Sequence, residues 1–169
     1  MKIFIIGYMY SGKTTVGKQL AKKLHYDFLD TDTMFETQYN TSISDYFSEH
    51  GETAFRDAER KILEELKTYP NNVIISTGGG LPCFNNNIAL MREMGIVIYL
   101  EAPADMIYRR YERSLAYRPL LANLSKEESI RKIESHLAER EPFYKQANII
   151  LSAENVNFEA LLQILSPFL

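Results

Sequence analysis

The sequence has few of the residues that build disulfide scaffolds, zinc sites or membrane spans. It contains one cysteine, Cys83, and three histidines in 169 residues. One cysteine cannot form an internal disulfide, and three scattered histidines provide no zinc-like ligand cluster. We expect Cys83 to be a small buried hydrophobic residue near a loop. No apolar run approaches the length of a membrane span, and the N-terminal MKIFIIG has no room for a signal peptide. We therefore expect a cytoplasmic protein without membrane contact.

The chain also has no excess of positive charge. Its 19 basic and 22 acidic residues give a net charge of −3. An overall basic field that would attract nucleic acid is therefore absent, and nucleic acid is not an expected partner. The length suits one domain with a substantial core. The sequence does not indicate an oligomeric state, and a monomer is the default expectation.

A glycine-rich stretch, GYMYSGKTTVG, follows the apolar run that ends at Ile6 and leads into a helical pattern. Gly7, Gly12, Lys13 and Thr14 fit G-x-x-x-x-G-K-[ST], the phosphate-binding P-loop. Glycines let successive N–H groups point into one concavity, and the helix N-terminus adds its dipole. Lys13 would reach the β- and γ-phosphates, and the Thr14 hydroxyl would coordinate Mg²⁺. The alternative is an ordinary glycine turn between a strand and a helix.

Short apolar runs alternate with helical patterns along the chain. Strands are predicted at Lys2 to Ile6, Tyr26 to Leu29, Val73 to Ser76, Ile96 to Leu100 and Asn148 to Leu151. Helices are predicted at Lys13 to Leu24, Glu52 to Leu66 and Phe158 to Leu165. This pattern is typical of an α/β fold with a parallel sheet, whose ligands gather at the carboxyl ends of the strands. Ser114 to Ser125 breaks the periodicity, as a lid or binding loop does.

Chemically useful residues follow two of these strands. Asp30 and Asp32 come after the second strand, and their carboxylates face the same way if the chain stays extended. Near a P-loop they could hold Mg²⁺ through water and orient or deprotonate a hydroxyl acceptor. The alternative is that one of them only caps the next helix. The run from Gly78 to Gly80 follows another strand and suits close backbone approach to a ligand, with a plain tight turn as the alternative.

Three arginines suit a small anionic substrate. They are Arg56, Arg118 and Arg140. A lone arginine is usually a solvated surface charge. A guanidinium group, however, binds carboxylate through two hydrogen bonds and neutralises phosphoryl oxygens.

Six motifs occur together in the order and approximate spacing of the shikimate kinases. They are the P-loop, Leu29-Asp30-Thr31-Asp32, Phe55-Arg56-x-x-Glu59, Ser76-Thr77-Gly78-Gly79-Gly80, Arg118-Pro119-Leu120-Leu121 and Glu139-Arg140-x-Pro142-x-Tyr144. A P-loop alone indicates only a nucleotide, whereas the last five motifs together are specific to that family. From about Ile3 to Asn148 the chain therefore resembles the shikimate kinase family.

The resemblance implies a fold and a reaction. The fold is a three-layer α/β/α sandwich of the P-loop kinase type, with a five-stranded parallel sheet in the order 2-3-1-4-5. The reaction transfers the γ-phosphoryl group of ATP, with Mg²⁺, to the 3-hydroxyl of shikimate, a step towards chorismate and the aromatic amino acids. Residues 1–169 would form one kinase domain, with a shikimate-binding helical segment at about residues 33–62 and a lid at about 112–125.

The resemblance also implies roles for individual residues. Lys13, Asp32 and Arg118 would be catalytic, with Asp32 acting on the attacking hydroxyl. Shikimate would bind to Asp32, Arg56, Gly78, Gly79, Gly80 and Arg140, and Mg²⁺ to Thr14 and Asp30. ATP would bind to Gly7, Tyr10, Ser11, Gly12, Lys13, Thr14, Thr15, Arg110 and Arg118. Phe47, Phe55 and Glu59 match positions that shape the shikimate pocket, with core packing the alternative for the two phenylalanines.

Tyr10 departs from the family pattern, which usually has Gly or Ala there. Its ring must point away from the phosphates. The departure puts the shape of the loop and the nucleotide affinity in question, whereas the chemistry of Lys13 and Thr14 is unchanged. Two rival functions remain at this stage. One is a kinase of the same architecture for another small hydroxy acid such as gluconate, and the other is a nucleotide-binding module that has lost catalysis.

Overall fold

The computed structural model describes residues 1–114 and 124–169. Within these ranges the strands are β1 (Lys2–Ile6), β2 (Asp27–Asp30), β3 (Val73–Ser76), β4 (Gly95–Glu101) and β5 (Ile149–Ser152). The helices are α1 (Lys13–Leu24), α2 (Thr31–Tyr39), α3 (Ile43–Glu65), α4 (Asn87–Met94), α5 (Ala104–Arg113), α6 (Lys126–Tyr144) and α7 (Phe158–Leu165). Short 3-10 turns follow at Leu81–Cys83 and Ser166–Phe168. No helix in the described ranges has both the length and the apolar character to cross a bilayer.

All five strands are parallel and lie in the order β2-β3-β1-β4-β5. This confirms the predicted sheet. The register pairs Ile5 with Ser76 and Asp30 with the same Ser76. The carboxyl ends of β1, β2 and β3 therefore meet along one edge, and the residues that follow them lie close together.

The sheet separates two apolar layers because side chains alternate along each strand. Ile3 and Ile5 of β1 pack with the buried faces of α1, α5, α6 and α7. Phe4 and Ile6 face the other way, towards α3, α4 and Tyr144. All four β1 residues are fully buried. The central strand is thus apolar on both sides, which is the pattern of a parallel strand covered by helices.

The helical segment after β2 differs from the prediction. We expected a helix from Glu52, but α3 begins at Ile43, and its first turns are separated from the rest by Gly51 with φ of 80°. The Ser42 hydroxyl caps the early portion by accepting the Asp45 N–H at 3.0 Å. The apolar side chains of α2 and α3 pack on each other in a cluster around Phe35. This pair of helices covers the β2 side of the strand ends.

Candidate active site

The phosphate-binding loop is a tight turn between β1 and α1. Gly7 has φ of 145° and Gly12 φ of 102°, values that glycine adopts readily and other residues rarely do. A Cβ on Gly7 would also lie 2.7 Å from the Leu100 carbonyl oxygen. The buried ammonium group of Lys13 donates to the Tyr8 carbonyl oxygen at 2.8 Å. The turn therefore brings the lysine charge back over the backbone of its own loop.

A cavity of about 370 Å³ lies beside this loop. It is lined by Tyr10, Ser11, Gly12, Thr15, Val16, Arg110 and Ala153. Arg110 reaches across from α5, and its Nη1 donates to the carbonyl oxygens of Tyr10 (3.1 Å) and Ser11. The Ser11 hydroxyl is buried and has no hydrogen-bond partner within the described part of the chain. An orphan donor at the base of the loop is suited to a phosphate oxygen.

Tyr10 takes a left-handed backbone conformation in the middle of the loop, with φ of 61°. Its hydroxyl forms a 3.1 Å hydrogen bond with the Ser114 hydroxyl, and its ring packs edge-on against Tyr111 at 5.9 Å between centroids. The ring therefore contacts the C-terminal end of α5. A bulky residue fits here because these contacts hold the side chain beside that helix.

The Thr14 hydroxyl and the Asp30 carboxylate meet next to the loop. Thr14 Oγ1 donates to Asp30 Oδ2 at 3.1 Å, and the Ser76 hydroxyl lies 3.4 Å from Thr14 Oγ1. The other oxygen of Asp30 caps α2 by accepting the Asp32 backbone N–H at 3.1 Å. The idea that Asp30 and Asp32 project together from an extended chain is thus wrong, because the helix begins at Thr31. Asp30 is both a helix cap and a neighbour of Thr14.

This group of oxygen atoms suits a hard cation. Hydroxyl and carboxylate oxygens are the ligands that Mg²⁺ prefers, and Mg²⁺ in kinases takes only one or two carboxylates besides water and phosphate. No cluster of three or more acidic, histidine or cysteine side chains that could hold a metal occurs in residues 1–114 and 124–169. The donors fit a Mg²⁺ ion that is shared with nucleotide phosphates.

Asp32 is exposed on the first turn of α2 and lies directly over the glycine run that follows β3. A Cβ on Gly78 would lie 2.6 Å from Asp32 Oδ1 and 3.3 Å from Glu59 Oε1. The Gly78 N–H donates to the Thr31 hydroxyl at 2.9 Å, which locks the glycine run to the start of α2. A side chain at this position would displace the carboxylate of Asp32 from its place beside the backbone.

Arg56 of α3 lies at the other end of the glycine run. Its Nη1 donates to Glu59 Oε2 at 2.6 Å, and its Cζ lies 4.0 Å from the centre of the Phe84 ring. A Cβ on Gly80 would lie 2.7 Å from Arg56 Nη1. Only 15% of the Arg56 side chain is exposed. The guanidinium group thus faces the strand ends and not bulk solvent.

Glu59 is buried beneath these groups. Burial raises the pKa of the Glu59 carboxyl above its ordinary value, while the neighbouring charges of Arg56 and Arg140 act in the opposite direction. The charges of both arginines therefore act on the pKa of Glu59. The ion pair with Arg56 offsets part of the cost of its desolvation.

Arg140 of α6 approaches the middle of the glycine run from the opposite side. A Cβ on Gly79 would lie 3.5 Å from Arg140 Nη1, and the Arg140 Cζ lies 5.2 Å from the centre of the Tyr8 ring. The Tyr144 hydroxyl, one turn further along α6, donates to the Gly79 carbonyl oxygen at 2.7 Å. The two arginines therefore flank the glycine run, with Asp32 above it.

The structure brings most of the predicted site residues to one edge of the sheet. Arg118 lies outside the described residues, and so does most of the predicted lid, of which only 112–114 and 124–125 are described. Sequence reasoning assigned no site role to Tyr8, Ser76 or His136. Tyr8 contacts Lys13 and Arg140, Ser76 contacts Thr14, and His136 contacts Tyr8. Tyr8 lies at a variable position of the P-loop pattern, so no spacing rule marked it. Cys83 lies near this site too, and burial raises the pKa of its thiol to about 11.

The chain is similar to known proteins over nearly its whole length. A family model for shikimate kinase matches residues 9–166. A shikimate kinase from Azobacteroides pseudotrichonymphae is 40% identical over 166 residues, which cover 98% of each chain. The crystal structure of shikimate kinase from Bacteroides thetaiotaomicron superposes with a TM-score of 0.90 at 37% identity, covering 99% of this chain and 97% of that one. A shikimate kinase from Acinetobacter baumannii in complex with shikimate gives a TM-score of 0.84 at 32% identity, covering 99% and 94%.

Proposed function

This chain belongs to the shikimate kinase family, and on that premise we propose a role for each residue of its two pockets. The protein is an ATP-dependent shikimate kinase. It transfers the γ-phosphoryl group of ATP to the 3-hydroxyl of shikimate, which gives shikimate 3-phosphate and ADP. This is a step in the synthesis of chorismate and the aromatic amino acids.

The arginines on either side of the glycine run carry the proposed acid pocket. Arg56 and Arg140 bind the substrate carboxylate, because guanidinium groups match its geometry and charge. Gly78, Gly79 and Gly80 line the ring of shikimate, and a side chain at Gly78 or Gly80 would collide with Asp32 or Arg56 respectively. The helical segment at about residues 33–62 forms the outer wall of this pocket. The single observation behind this assignment is that both arginines face one glycine run beside the P-loop.

The nucleotide pocket is assigned to the loop after β1. The backbone between Gly7 and Gly12, the hydroxyls of Ser11 and Thr15, and Lys13 hold the phosphates. Tyr10 and Arg110 form the wall towards the base, because they line the adjoining cavity. Arg118, on the proposed lid at about residues 112–125, stabilises charge on the phosphoryl group as it moves.

Thr14 and Asp30 are proposed to hold Mg²⁺. When bound, the ion neutralises charge on the β- and γ-phosphate oxygens. Ser76 lies close enough to Thr14 to orient its hydroxyl. Asp30 reaches Thr14 and the backbone of α2 together, so it also fixes the distance between the phosphates and Asp32.

Asp32 is proposed to position the attacking hydroxyl and to take its proton. The bond between the shikimate 3-oxygen and the γ-phosphorus forms as the bond to the β,γ-bridging oxygen breaks, and ADP leaves. Phosphoryl transfer through a loose transition state depends mainly on positioning and charge neutralisation. Lys13 and the arginines supply that charge. We further propose a monomer that works in the cytoplasm, where ATP is available.

A coupled assay of ADP release over a panel of hydroxy acids tests the reaction. Shikimate should support turnover, and the product should carry phosphate on its 3-hydroxyl by ³¹P NMR. Turnover of gluconate without turnover of shikimate would contradict the acceptor. Nucleotide binding without turnover of any acid would support a module that has lost catalysis.

A further inference from the structure

Arg56 and Arg140 are held in different ways. Arg56 forms ion pairs with Glu59 at 2.6 Å and Glu52 at 3.5 Å. Across residues 1–114 and 124–169, no carboxylate oxygen lies within the 4.0 Å ion-pair distance of an Arg140 nitrogen. A long side chain without a close ion-pair partner has many rotamers to lose when it binds a substrate. Some other contact must therefore fix its position.

The aromatic ring of Tyr8 provides such a contact, in addition to the Tyr144 hydroxyl. The Arg140 Cζ lies 5.2 Å from the ring centre, within the range of a cation–π interaction. Tyr8 is 1% exposed, so water does not compete for the ring. The interaction is attractive and uses the face of the guanidinium group, whereas the Tyr144 hydroxyl interacts with part of its N–H edge. A carboxylate could still bind the rest of that edge.

The ring itself is fixed from two directions. Its hydroxyl forms a 3.1 Å hydrogen bond with His136 Nδ1. His136 lies on α6 one turn before Arg140, so one helix contacts both the hydroxyl and the ring of Tyr8. The backbone of Tyr8 belongs to the P-loop, where its carbonyl oxygen accepts the Lys13 ammonium group. Tyr8 therefore joins the phosphate loop to α6.

We infer that Tyr8 is a positioning residue for shikimate binding, whose ring holds the Arg140 guanidinium group towards the glycine run while His136 holds the ring. The inference rests on the carboxylate-binding role proposed above for Arg140. It assigns a substrate function to a side chain of the phosphate loop. The simpler alternative is that Tyr8 only fills the core between β1 and α6.

Replacing the ring separates these two explanations. Tyr8→Leu should raise the KM for shikimate roughly three- to thirtyfold and leave the KM for ATP within about twofold, because a cation–π contact at a buried site is lost. Tyr8→Phe is the matched control, since it keeps the ring and removes only the hydroxyl. Tyr8→Phe should retain most of the wild-type affinity for shikimate. Thermal melting checks that each variant is folded, and Tyr8→Met replaces Tyr8→Leu if the latter does not fold.

The methyl ester of shikimate provides a readout that core packing would not change. Wild type should prefer the acid over the neutral ester in kcat/KM. That preference should fall in Tyr8→Leu, as it should in Arg140→Met, because both lose the positioned charge. A purely structural role for Tyr8 would lower kcat/KM for the acid and the ester equally, and that result would overturn the inference.

Two further outcomes are distinguishable. If Arg140→Met leaves the preference for the acid intact, the carboxylate role of Arg140 fails, and the inference fails with it. If Arg140→Met loses the preference but Tyr8→Leu keeps it, only the inference fails. For His136, a double-mutant cycle with Tyr8→Phe and His136→Ala should give a double variant no worse than either single one. Additive losses would remove His136 from this role.

Discussion

The Asp30 carboxylate accepts the Thr14 hydroxyl on one oxygen, at 3.1 Å, and the Asp32 backbone N–H on the other, also at 3.1 Å. A single side chain thereby connects the start of α1 with the start of α2. The first helix carries groups proposed to bind phosphate, and the second carries the proposed base. The distance between the two pockets depends on this carboxylate.

Removing the charge of Asp30 should weaken the proposed Mg²⁺ site. Asp30→Asn keeps the shape and an oxygen that can cap α2, but it loses the negative charge. We expect the Mg²⁺ concentration for half-maximal activity to rise roughly tenfold, as loss of a metal-orienting group typically causes. A titration of Mg²⁺ at saturating ATP and shikimate measures this. Asp27→Asn, at the exposed start of β2, is the control, and an equal Mg²⁺ requirement in both variants would contradict the assignment.

Asp32 should matter for turnover more than for binding. Asp32→Asn keeps the size of the side chain but cannot take the proton of the attacking hydroxyl. We expect kcat to fall at least roughly a hundredfold, the usual contribution of a general base. Steady-state kinetics with both substrates measure it, and Asp45→Asn on the exposed first turn of α3 is the control. Unchanged turnover would mean that Asp32 only contacts the substrate.

The sheet was predictable because buried parallel strands are short apolar runs, and β1 and β3 are buried at every residue. The start of α3 was not predictable, because its first turns carry mostly polar residues and end at Gly51, which has φ of 80°. A helix of that kind forms because its aromatic side chains pack against α2, which is a tertiary effect. The order of the strands came from the family resemblance, since local pattern does not encode it.

The site was predictable where spacing implies chemistry. The P-loop could be read directly from the sequence because Gly7 and Gly12 take positive φ values. The glycine run could be read because a Cβ on Gly78 or Gly80 would collide with Asp32 or Arg56. The contacts of Asp30 were harder to predict, since one carboxylate can cap a helix and contact a hydroxyl together. Tyr8 and Arg140 are 132 residues apart in the chain, and their contact depends on how α6 packs on the sheet. No local pattern contains that information.

His136 should make stability depend on pH. Burial lowers the pKa of His136 below its ordinary 6.5, and the charge of Arg140 acts in the same direction. The unfolded chain therefore binds a proton at this histidine more readily than the folded chain does. The contribution of neutral His136 to stability is complete above pH 6.5 and is lost as the pH falls towards the lower pKa of the folded state.

The measurement for His136 is urea unfolding of wild type and His136→Gln from about pH 8 to about pH 5. The stability of wild type relative to the variant should decrease towards the acid end. Taking the difference removes the titration of all other groups. A difference that is constant or grows with acid would contradict a lowered pKa for His136 in the folded protein.

The glycine run offers a test of geometry without a change of charge. An alanine Cβ at position 78 would lie 2.6 Å from Asp32 Oδ1, whereas one at position 79 would meet its nearest neighbours at 3.4 Å, an ordinary contact. Gly78 and Gly79 both lack a positive φ, so backbone strain is not the cause of any difference. We expect Gly78→Ala to lower kcat by roughly tenfold or more, because displacing a catalytic group by about 1 Å is costly. Gly79→Ala should act mainly on the KM for shikimate. Steady-state kinetics of the two variants decide, and a larger loss of kcat in Gly79→Ala would show that Asp32 is not the group that Gly78 accommodates.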